Sequence, residues 1–259
     1  AAALLRKNGF DVALFDTNLL DSPHSIIPIL EKTEPTYLVI YDDGFNYLTK
    51  MCLTNMRDAC FDMIKLGKNQ DCTVVVCSSD ASDHYEKYLE AGADFIIKGE
   101  GELTLLALIN NLEQKQPTDA IEGIVYKKDT TTIVTPGRKV LQNLDELPLA
   151  AWDLVDMDKY KAIWKQSGTE FTLNIATTRG CPYKCNWCAK PIYGNRYNAH
   201  SPQYIVEEIA YLHDKYGVSR FWMCDDIFGL KPNWVQEFNA ELKNRKLKIK
   251  YFIQSRVDL

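Results

Sequence analysis

The sequence predicts an α/β protein in which a doubly wound, flavodoxin- or Rossmann-like parallel sheet is followed by a partial β/α barrel. Short runs rich in β-branched and aromatic residues alternate with helix-periodic stretches as far as residue 112. The same alternation returns after residue 170. The runs are almost continuously apolar, which is typical of strands in parallel sheets that helices cover on both faces.

The first series begins inside a helix that ends at Asn8-Gly9, a common helix stop. A doubly wound domain normally begins with a strand, so we expect further chain before residue 1. The predicted strands of this series are FDVALFD, TYLVIYDD, CTVVVCSS and ADFIIKG, and its later helices lie at about 50–66, 83–91 and 103–114.

A change of pattern follows the first series. IEGIVYKKDTTTIVTPGRKVL is typical of a small β-hairpin, and QNLDELPLAAWDLVDMDKY of a linker with turn signals. We therefore predict three regions: a Rossmann-like domain (1–118), a hairpin and linker (119–168) and the first half of a barrel (169–259).

The second series is again of the parallel β/α type. Ser201 at the N-cap, Pro202 in the first turn and Gly217 at the stop mark its first helix. Three β/α units cannot close a barrel, so we expect the chain to be truncated at both ends. The predicted strands are FTLNIATT, RFWMCDD and IKYFIQSR, and the helices lie at 202–216 and 232–245.

The composition is that of a soluble globular protein, with 46% hydrophobic and 25% charged residues. The net charge of −5 gives no electrostatic reason to expect nucleic acid or an acidic membrane surface as the main partner. No apolar run approaches the roughly 18 residues of a membrane span, and the first ten residues lack the features of a signal peptide. We therefore expect a cytoplasmic protein without a membrane span.

Three of the eight cysteines, Cys181, Cys185 and Cys188, lie together in TRGCPYKCNWCAK. The other five are scattered, and we expect them to be reduced core thiols. Structural zinc normally takes four ligands in two separated pairs. A [4Fe–4S] cluster normally takes four thiolates, so three would leave one iron open for a substrate or cofactor. The spacing leaves zinc, an iron–sulfur cluster and coincidental packing as interpretations.

The spacing Cys181-x-x-x-Cys185-x-x-Cys188, with an aromatic residue before the last cysteine and a strand before the loop, resembles the radical S-adenosylmethionine (SAM) enzymes. The resemblance implies a [4Fe–4S] cluster on these three cysteines, with the amino and carboxylate groups of SAM on the open iron. An electron, supplied by a reductase or flavodoxin, then cleaves SAM to methionine and a 5′-deoxyadenosyl radical, which abstracts a substrate hydrogen. No catalytic side chain is assigned.

The resemblance also suggests contacts to SAM. Trp187 is expected beside the adenine, mainly through its backbone. Asp225-Asp226 stands where the family often has Gly-Gly-Glu, so either carboxylate is a candidate acceptor for the SAM ammonium. A helix N-terminal acid is the alternative. Ser255 and Arg256 are candidates for the ribose and carboxylate, with a surface ion pair as the alternative for Arg256.

The segments FIIKGEGELTLLALI, IEGIVY and LDELPLAAWDLVD resemble the cobalamin-binding domain that precedes the radical SAM domain in one large subgroup. Gly99, Glu100 and Gly101 form either a ligand-contacting turn or an ordinary strand-to-helix turn. Ser78-Ser79 stands where the subgroup often has paired glycines. These serines either contact the nucleotide tail of cobalamin or mark a degenerate site.

Two chemistries fit this subgroup. One is methyl transfer from methylcobalamin to a substrate radical. The other is oxidative or cyclising chemistry, as in the anaerobic magnesium-protoporphyrin monomethyl ester cyclase that the architecture resembles. A different class of function is a non-catalytic iron–sulfur or zinc-binding regulatory module. The sequence does not identify the small-molecule or natural-product substrate, or the oligomeric state.

Overall fold

The computed structural model describes residues 1–41, 52–186, 188 and 192–258. The chain divides into two compact units. The first contains Ala1 and Ala13–Val140, and the second contains Ala2–Val12 and Leu141–Leu259. Each unit has its own hydrophobic core. The boundaries near residues 118 and 168 stay a prediction.

The strands are short and belong to three sheets. They are β1 (Tyr37–Tyr41), β2 (Thr73–Cys77), β3 (Phe95–Ile97), β4 (Ile124–Lys128), β5 (Thr131–Val134), β6 (Leu173–Ile175), β7 (Thr178–Arg179), β8 (Asn198–Ala199), β9 (Arg220–Met223) and β10 (Lys250–Ile253).

The helices vary from one to four turns. In the described ranges, none combines the length and apolar character that crossing a bilayer requires. They are α1 (Ala2–Lys7), α2 (Ile27–Thr33), α3 (Leu53–Lys68), α4 (Ser79–Asp83), α5 (Tyr85–Glu90), α6 (Glu102–Glu113), α7 (Met157–Gln166), α8 (Pro202–Tyr216) and α9 (Trp234–Asn244).

The first unit contains a mixed five-stranded sheet in the order β1-β2-β3-β4-β5. Strands β1, β2 and β3 are parallel, and β4 and β5 add an antiparallel hairpin. Val74, Val75 and Val76 of β2 have no exposed surface, as expected for a central strand covered on both faces. The predicted parallel β/α pattern and the predicted hairpin are therefore confirmed.

The predicted strand at residues 10–16 is wrong. In the described structure this segment joins no sheet. The Phe10 N–H donates to the Leu5 carbonyl, and Asp16 accepts from the Asn18 N–H at the start of a 3₁₀ turn. The segment has strand-like composition, but strand structure requires a neighbour that pairs with its backbone.

The second unit contains a parallel sheet in the order β10-β9-β6 and a separate hairpin of β7 and β8. Helices α8 and α9 follow the predicted boundaries closely and pack on one face of the sheet. Phe221 and Met223 of β9 are fully buried, whereas Trp222 between them is 37% exposed. The alternation places Trp222 on the face away from the helices.

The predicted linker is an ordered part of the second unit. The Trp152 Nε1–H donates to Glu208 at 2.7 Å, and the Tyr204 hydroxyl donates to the Pro148 carbonyl at 3.0 Å. Burial raises the pKa of Glu208, although the Trp152 hydrogen bond opposes this shift. Helix α7, which the sequence analysis missed, begins after Asp156, whose carboxylate caps it.

A bidentate ion pair holds the segment that follows β2. Arg57 of α3 donates from Nε and Nη2 to the two oxygens of Asp80, at 2.7 and 2.6 Å, and the Tyr88 hydroxyl donates to the same carboxylate at 2.6 Å. Asp80 is buried. Burial alone would raise its pKa, but the hydrogen bonds from Arg57 and Tyr88 lower it.

We expect Asp80→Ala to reduce the free energy of unfolding by about 3 kcal/mol, because it leaves a partly buried guanidinium without its partner. Denaturant unfolding measures this loss. The control is Asp62→Ala, which removes an exposed pair with Lys65 and should change stability by less than about 0.5 kcal/mol.

The same ion pair predicts a pH dependence. The pKa of Asp80 is lowered in the folded state. The stabilisation that its carboxylate gives the folded state is therefore complete well above the unfolded pKa of about 3.9, and it is lost as the pH falls through and below that value. The stability gap between wild type and Asp80→Asn should therefore narrow from pH 6 to pH 3. A gap that stays constant would contradict this assignment.

Candidate functional site

The three clustered cysteines lie in one loop of the second unit. Residues 180–197, called here the cysteine loop, connect β7 to β8. Cys181 at its start is 8% exposed, whereas Cys185 and Cys188 are exposed. No cysteine of the described chain forms a disulfide. Three reduced thiols are thus carried at the carboxyl end of a parallel β/α sheet, where such folds hold ligands.

The thiols are not gathered into a ligand set. Among the described residues, no three histidine, cysteine or acidic side chains lie close enough together to hold a metal ion. Trp187, and the loop residues 189–191, lie outside the described residues. The donor set suits iron or another thiophilic metal, since thiolates are soft ligands. Metal binding commonly assembles a site that the metal-free chain leaves open.

Gly180 closes the base of the cysteine loop. Its φ of +79° lies in the left-handed region that favours glycine. A Cβ at this position would overlap the carbonyl oxygen of Arg196 and lie 3.0 Å from Tyr193 Cβ. The predicted close backbone approach at Gly180 is confirmed, and it brings the two ends of the loop together.

Asp225 lies beneath the same loop base. Its side chain is 1% exposed. Oδ1 accepts from the backbone N–H groups of Thr177 and Thr178 at 2.7 and 2.8 Å, and Oδ2 accepts from Thr177 Oγ1 at 2.6 Å. Burial raises the pKa of Asp225, and these hydrogen bonds offset only part of the shift. Its carboxylate is therefore directed at the chain just before the cysteines.

Asp145 holds the other side of the loop base. It contacts His200 Nδ1 at 2.9 Å and accepts from the Ser201 N–H at 3.1 and 3.2 Å. Burial alone would raise the pKa of Asp145, but hydrogen bonds from Ser201 and His200 lower it. Burial lowers the pKa of His200, although Asp145 opposes this shift. The His200 N–H donates to the Thr177 carbonyl at 2.9 Å, so Asp145 and Asp225 support the same short hairpin.

The other predicted SAM contacts lie at the ends of β9 and β10. Asp226 is exposed, unlike Asp225. Ser255 Oγ donates to the Phe228 carbonyl at 3.0 Å. The Arg256 guanidinium lies 4.2 Å from the ring centroid of Tyr183 in the cysteine loop. The fold thus brings the end of β10 to the cysteine loop.

Arg256 also makes the ion pair that the sequence left as an alternative. Its Nε and Nη2 each lie 2.7 Å from a different oxygen of Asp258. This pairing raises the pKa of Arg256. The fork is arranged to hold a carboxylate bidentately, whichever molecule supplies it.

The predicted cobalamin contacts lie in the first unit, at the ends of β2 and β3. Ser78 is buried, and its Oγ accepts from the Ala81 N–H at 2.9 Å as the N-cap of α4. Ser79 is the first residue of that helix. The position of Ser78 therefore has a structural explanation that is independent of any ligand.

The two glycines of the Gly99-Glu100-Gly101 turn differ. A Cβ on Gly101 would lie 2.6 Å from Cys77 Sγ and 2.8 Å from the Tyr41 hydroxyl, so glycine is required there by packing. Gly99 has a φ of +87°, and a Cβ on it would meet no atom of the described residues within 4 Å. Glu100 between them is half-buried. Gly99 is thus the glycine of this turn with open space beside it.

Sequence analysis missed Thr177, Asp145 and His200 as parts of the loop base. Asp145 lies in the LDELP segment, which the sequence analysis used for its family resemblance and interpreted as part of a linker. Its partner His200 is 55 residues away, so local patterns carry no signal for the contact. Of the five scattered cysteines, Cys72 and Cys77 are buried as expected, whereas the expectation is wrong for Cys52, which is exposed.

Residues 175–257 match the family model described as the radical SAM superfamily. The chain is 34% identical over 166 residues to an uncharacterized methyltransferase of Pyrococcus horikoshii, covering 64% of this chain and 35% of the relative. It is 31% identical over 169 residues to the anaerobic magnesium-protoporphyrin IX monomethyl ester cyclase of Synechocystis, covering 65% and 33%. The chain spans about a third of the length of these relatives.

A solved structure of OxsB, a cobalamin-dependent SAM radical enzyme with aqua-cobalamin and SAM bound, has the same fold. The TM-score is 0.76 at 22% identity, and the match covers 99% of this chain and 35% of that one. The predicted fold class is confirmed: both units are α/β, with a mixed sheet in the first and a parallel sheet in the second. The part of the chain that matches the radical SAM family model contains the cysteine loop, β9 and β10.

Proposed function

We propose that this chain belongs to an enzyme that cleaves SAM reductively at a [4Fe–4S] cluster bound by Cys181, Cys185 and Cys188. The observation that carries the proposal is the three-cysteine loop at the carboxyl end of the sheet within the radical SAM domain. When bound, such a cluster supplies the electron that converts SAM to methionine and a 5′-deoxyadenosyl radical, which abstracts a substrate hydrogen.

The residues of this chain would bind the cluster and shape the loop around it. The exposed Cys185 and Cys188 and the largely buried Cys181 supply thiolates. Gly180 allows the loop to turn back at its base. A regulatory zinc or iron–sulfur module is the competing function, and three thiols without a second pair make its zinc form a poor match to structural zinc sites.

We propose that SAM contacts Asp226, Ser255 and Arg256 at the ends of β9 and β10, and Trp187 in the cysteine loop. The exposed carboxylate of Asp226 suits an ammonium. Arg256 is the best supported, because its guanidinium lies on Tyr183 of the cysteine loop and already holds a carboxylate. The α-carboxylate of SAM has the same bidentate geometry as the Asp258 side chain.

We propose that the first unit binds cobalamin at the sheet edge where β2 and β3 end. Gly99 supports this proposal through its open, left-handed turn, and OxsB, which has the same fold, binds aqua-cobalamin. Ser79, Glu100 and Gly101 lie at the same edge, and we propose them as further contacts to cobalamin. We include Ser78 as a donor, since its oxygen caps α4 as an acceptor and a serine hydroxyl also carries one hydrogen to donate.

We propose that the outcome is methylation or oxidative cyclisation of a small organic substrate, in keeping with relatives named as a methyltransferase and a cyclase. Product mass distinguishes them. Methylation adds one methylene to the substrate and releases S-adenosylhomocysteine, whereas cyclisation does neither. A reductase or flavodoxin supplies the electron. The thiolates require a reducing compartment, which makes the cytoplasm the proposed location.

Cys185→Ala should abolish 5′-deoxyadenosine release and lower bound iron several-fold, because two thiolates cannot hold the cluster. Anaerobic reconstitution, iron assay and product chromatography measure both effects. Cys52→Ala, which alters an exposed cysteine outside the loop, is the control and should match wild type. If Cys185→Ala kept its iron and its activity, the ligand assignment would be wrong.

Arg256→Met should weaken SAM binding about tenfold while leaving iron content unchanged, because it removes a charge-assisted bidentate contact but keeps a side chain of similar length. Equilibrium dialysis with labelled SAM measures the change. Asp258→Asn removes the carboxylate that occupies Arg256 and should leave SAM affinity equal or higher. Equal affinity in wild type and Arg256→Met would refute the contact.

Gly99→Ala should weaken cobalamin binding about tenfold, because it adds a side chain where the ligand is proposed to approach and strains a left-handed backbone. Absorbance titration with aqua-cobalamin measures the affinity. Gly168→Ala is a matched control, since Gly168 has a φ of +71° and equally open surroundings but lies in the second unit. Equal losses in the two variants would mean that strain alone explains the effect.

A further inference from the structure

We propose that Asp225 is a positioning residue that fixes the base of the cysteine loop and does not itself bind SAM. The inference rests on the proposed function. The motif placed Asp225 and Asp226 equally as candidates for the SAM ammonium, but the two side chains have opposite surroundings. Asp225 is 1% exposed, and Asp226 is exposed.

The carboxylate of Asp225 is already committed to the protein. A carboxylate accepts about four hydrogen bonds, and Asp225 accepts three, all from Thr177 and Thr178. Oδ1 takes the two backbone N–H groups, and Oδ2 takes the Thr177 hydroxyl. Turning this side chain toward a ligand would leave three buried donors without an acceptor, which is costly.

The backbone around Asp225 places it beside Thr177. The Cys224 N–H donates to the Ile175 carbonyl at 2.9 Å, which extends the pairing of β9 with β6 by one step. Strand β6 ends at Ile175, and β9 ends one residue before Cys224. Asp225 therefore stands where the chain leaves β6 toward the cysteines, and its Oδ1 accepts the backbone N–H groups of Thr177 and Thr178, which lie beyond the last paired residue of β6.

Thr177 is the residue on which several contacts converge. Its N–H and hydroxyl bind Asp225, and its carbonyl accepts from the His200 N–H at 2.9 Å. His200 is held by Asp145 and by Trp234, whose Nε1–H donates to the His200 carbonyl at 2.7 Å. Cys181 follows Thr177 by four residues. Fixing Thr177 therefore fixes where the first thiol enters the loop.

The isosteric variant Asp225→Asn distinguishes a positioning role of Asp225 from a direct contact with SAM. Asp225→Asn keeps an oxygen for the two N–H groups, and the Thr177 hydroxyl can rotate to accept from the new amide. A positioning role predicts that Asp225→Asn retains its iron and binds SAM within about threefold of wild type. A direct contact with the SAM ammonium predicts full iron content but SAM binding weakened by at least about tenfold, because the charge is lost.

Amide hydrogen exchange tests the positioning role without cluster or SAM. In the cluster-free 259-residue chain, Asp225→Ala should speed exchange at Thr177 and Thr178 by at least about tenfold, because both N–H groups lose their acceptor. Thr177→Val removes only the hydroxyl contact and should speed exchange less. Thr131→Val, on exposed β5 of the first unit, should leave these amides unchanged.

Asp226→Asn tests the neighbouring aspartate, which is proposed to contact SAM. It should weaken SAM binding about tenfold at full iron content, the reverse of Asp225→Asn. Loss of SAM affinity in Asp225→Asn, or unchanged exchange in Asp225→Ala and Thr177→Val, would overturn the proposal. If Asp225→Ala fails to fold, Asp225→Asn and Thr177→Val still decide it. If wild-type chain takes up no iron, the proposed function fails, while the exchange experiment still tests the positioning role.

Discussion

The second unit depends on hydrogen bonds to one buried carboxylate, that of Asp225. Asp225 has almost no contact with solvent, and an ionised carboxylate in that position is tolerated only if hydrogen-bond donors surround it. Thr177 and Thr178 supply those donors. Meeting this requirement ties the end of β9 to the end of β6, and the chain then leaves the sheet at a fixed point to form the cysteine loop.

The parallel arrangement gathers the remaining candidates at the same edge. Strands β6, β9 and β10 run in one direction, so their carboxyl ends lie side by side. The β7–β8 hairpin that carries the cysteine loop follows β6, Asp226 follows β9, and Arg256 follows β10. The contact of Arg256 with Tyr183 shows that the third strand reaches the loop of the first. The grouping of these candidate residues at one edge is thus a consequence of sheet topology.

Sequence patterns predicted this architecture where the signal was local. Apolar runs located β1, β2 and β9, and capping residues located α8 almost to the residue. The pattern failed at residues 10–16, where composition suits a strand but no described segment pairs with it, and at α7, which lies in a segment dominated by turn signals. A strand is defined by its partner, and single-segment composition does not contain the partner.

The candidate site was predictable as a motif and not as a set of contacts. The cysteine spacing and the Asp225-Asp226 pair were visible in the sequence. What distinguishes the two aspartates is burial, which depends on packing across 48 residues of chain. The same holds for Gly101, where the motif suggested ligand approach and the structure places the side chains of Tyr41 and Cys77.

The most direct measurement is Mössbauer spectroscopy of the iron-57-reconstituted chain with and without SAM. Three thiolate ligands predict about four iron atoms per chain in a [4Fe–4S] cluster, with one iron site whose spectrum changes when SAM is added and three that do not. A spectrum that SAM leaves unchanged, or a chain that holds zinc in place of iron, would contradict the account.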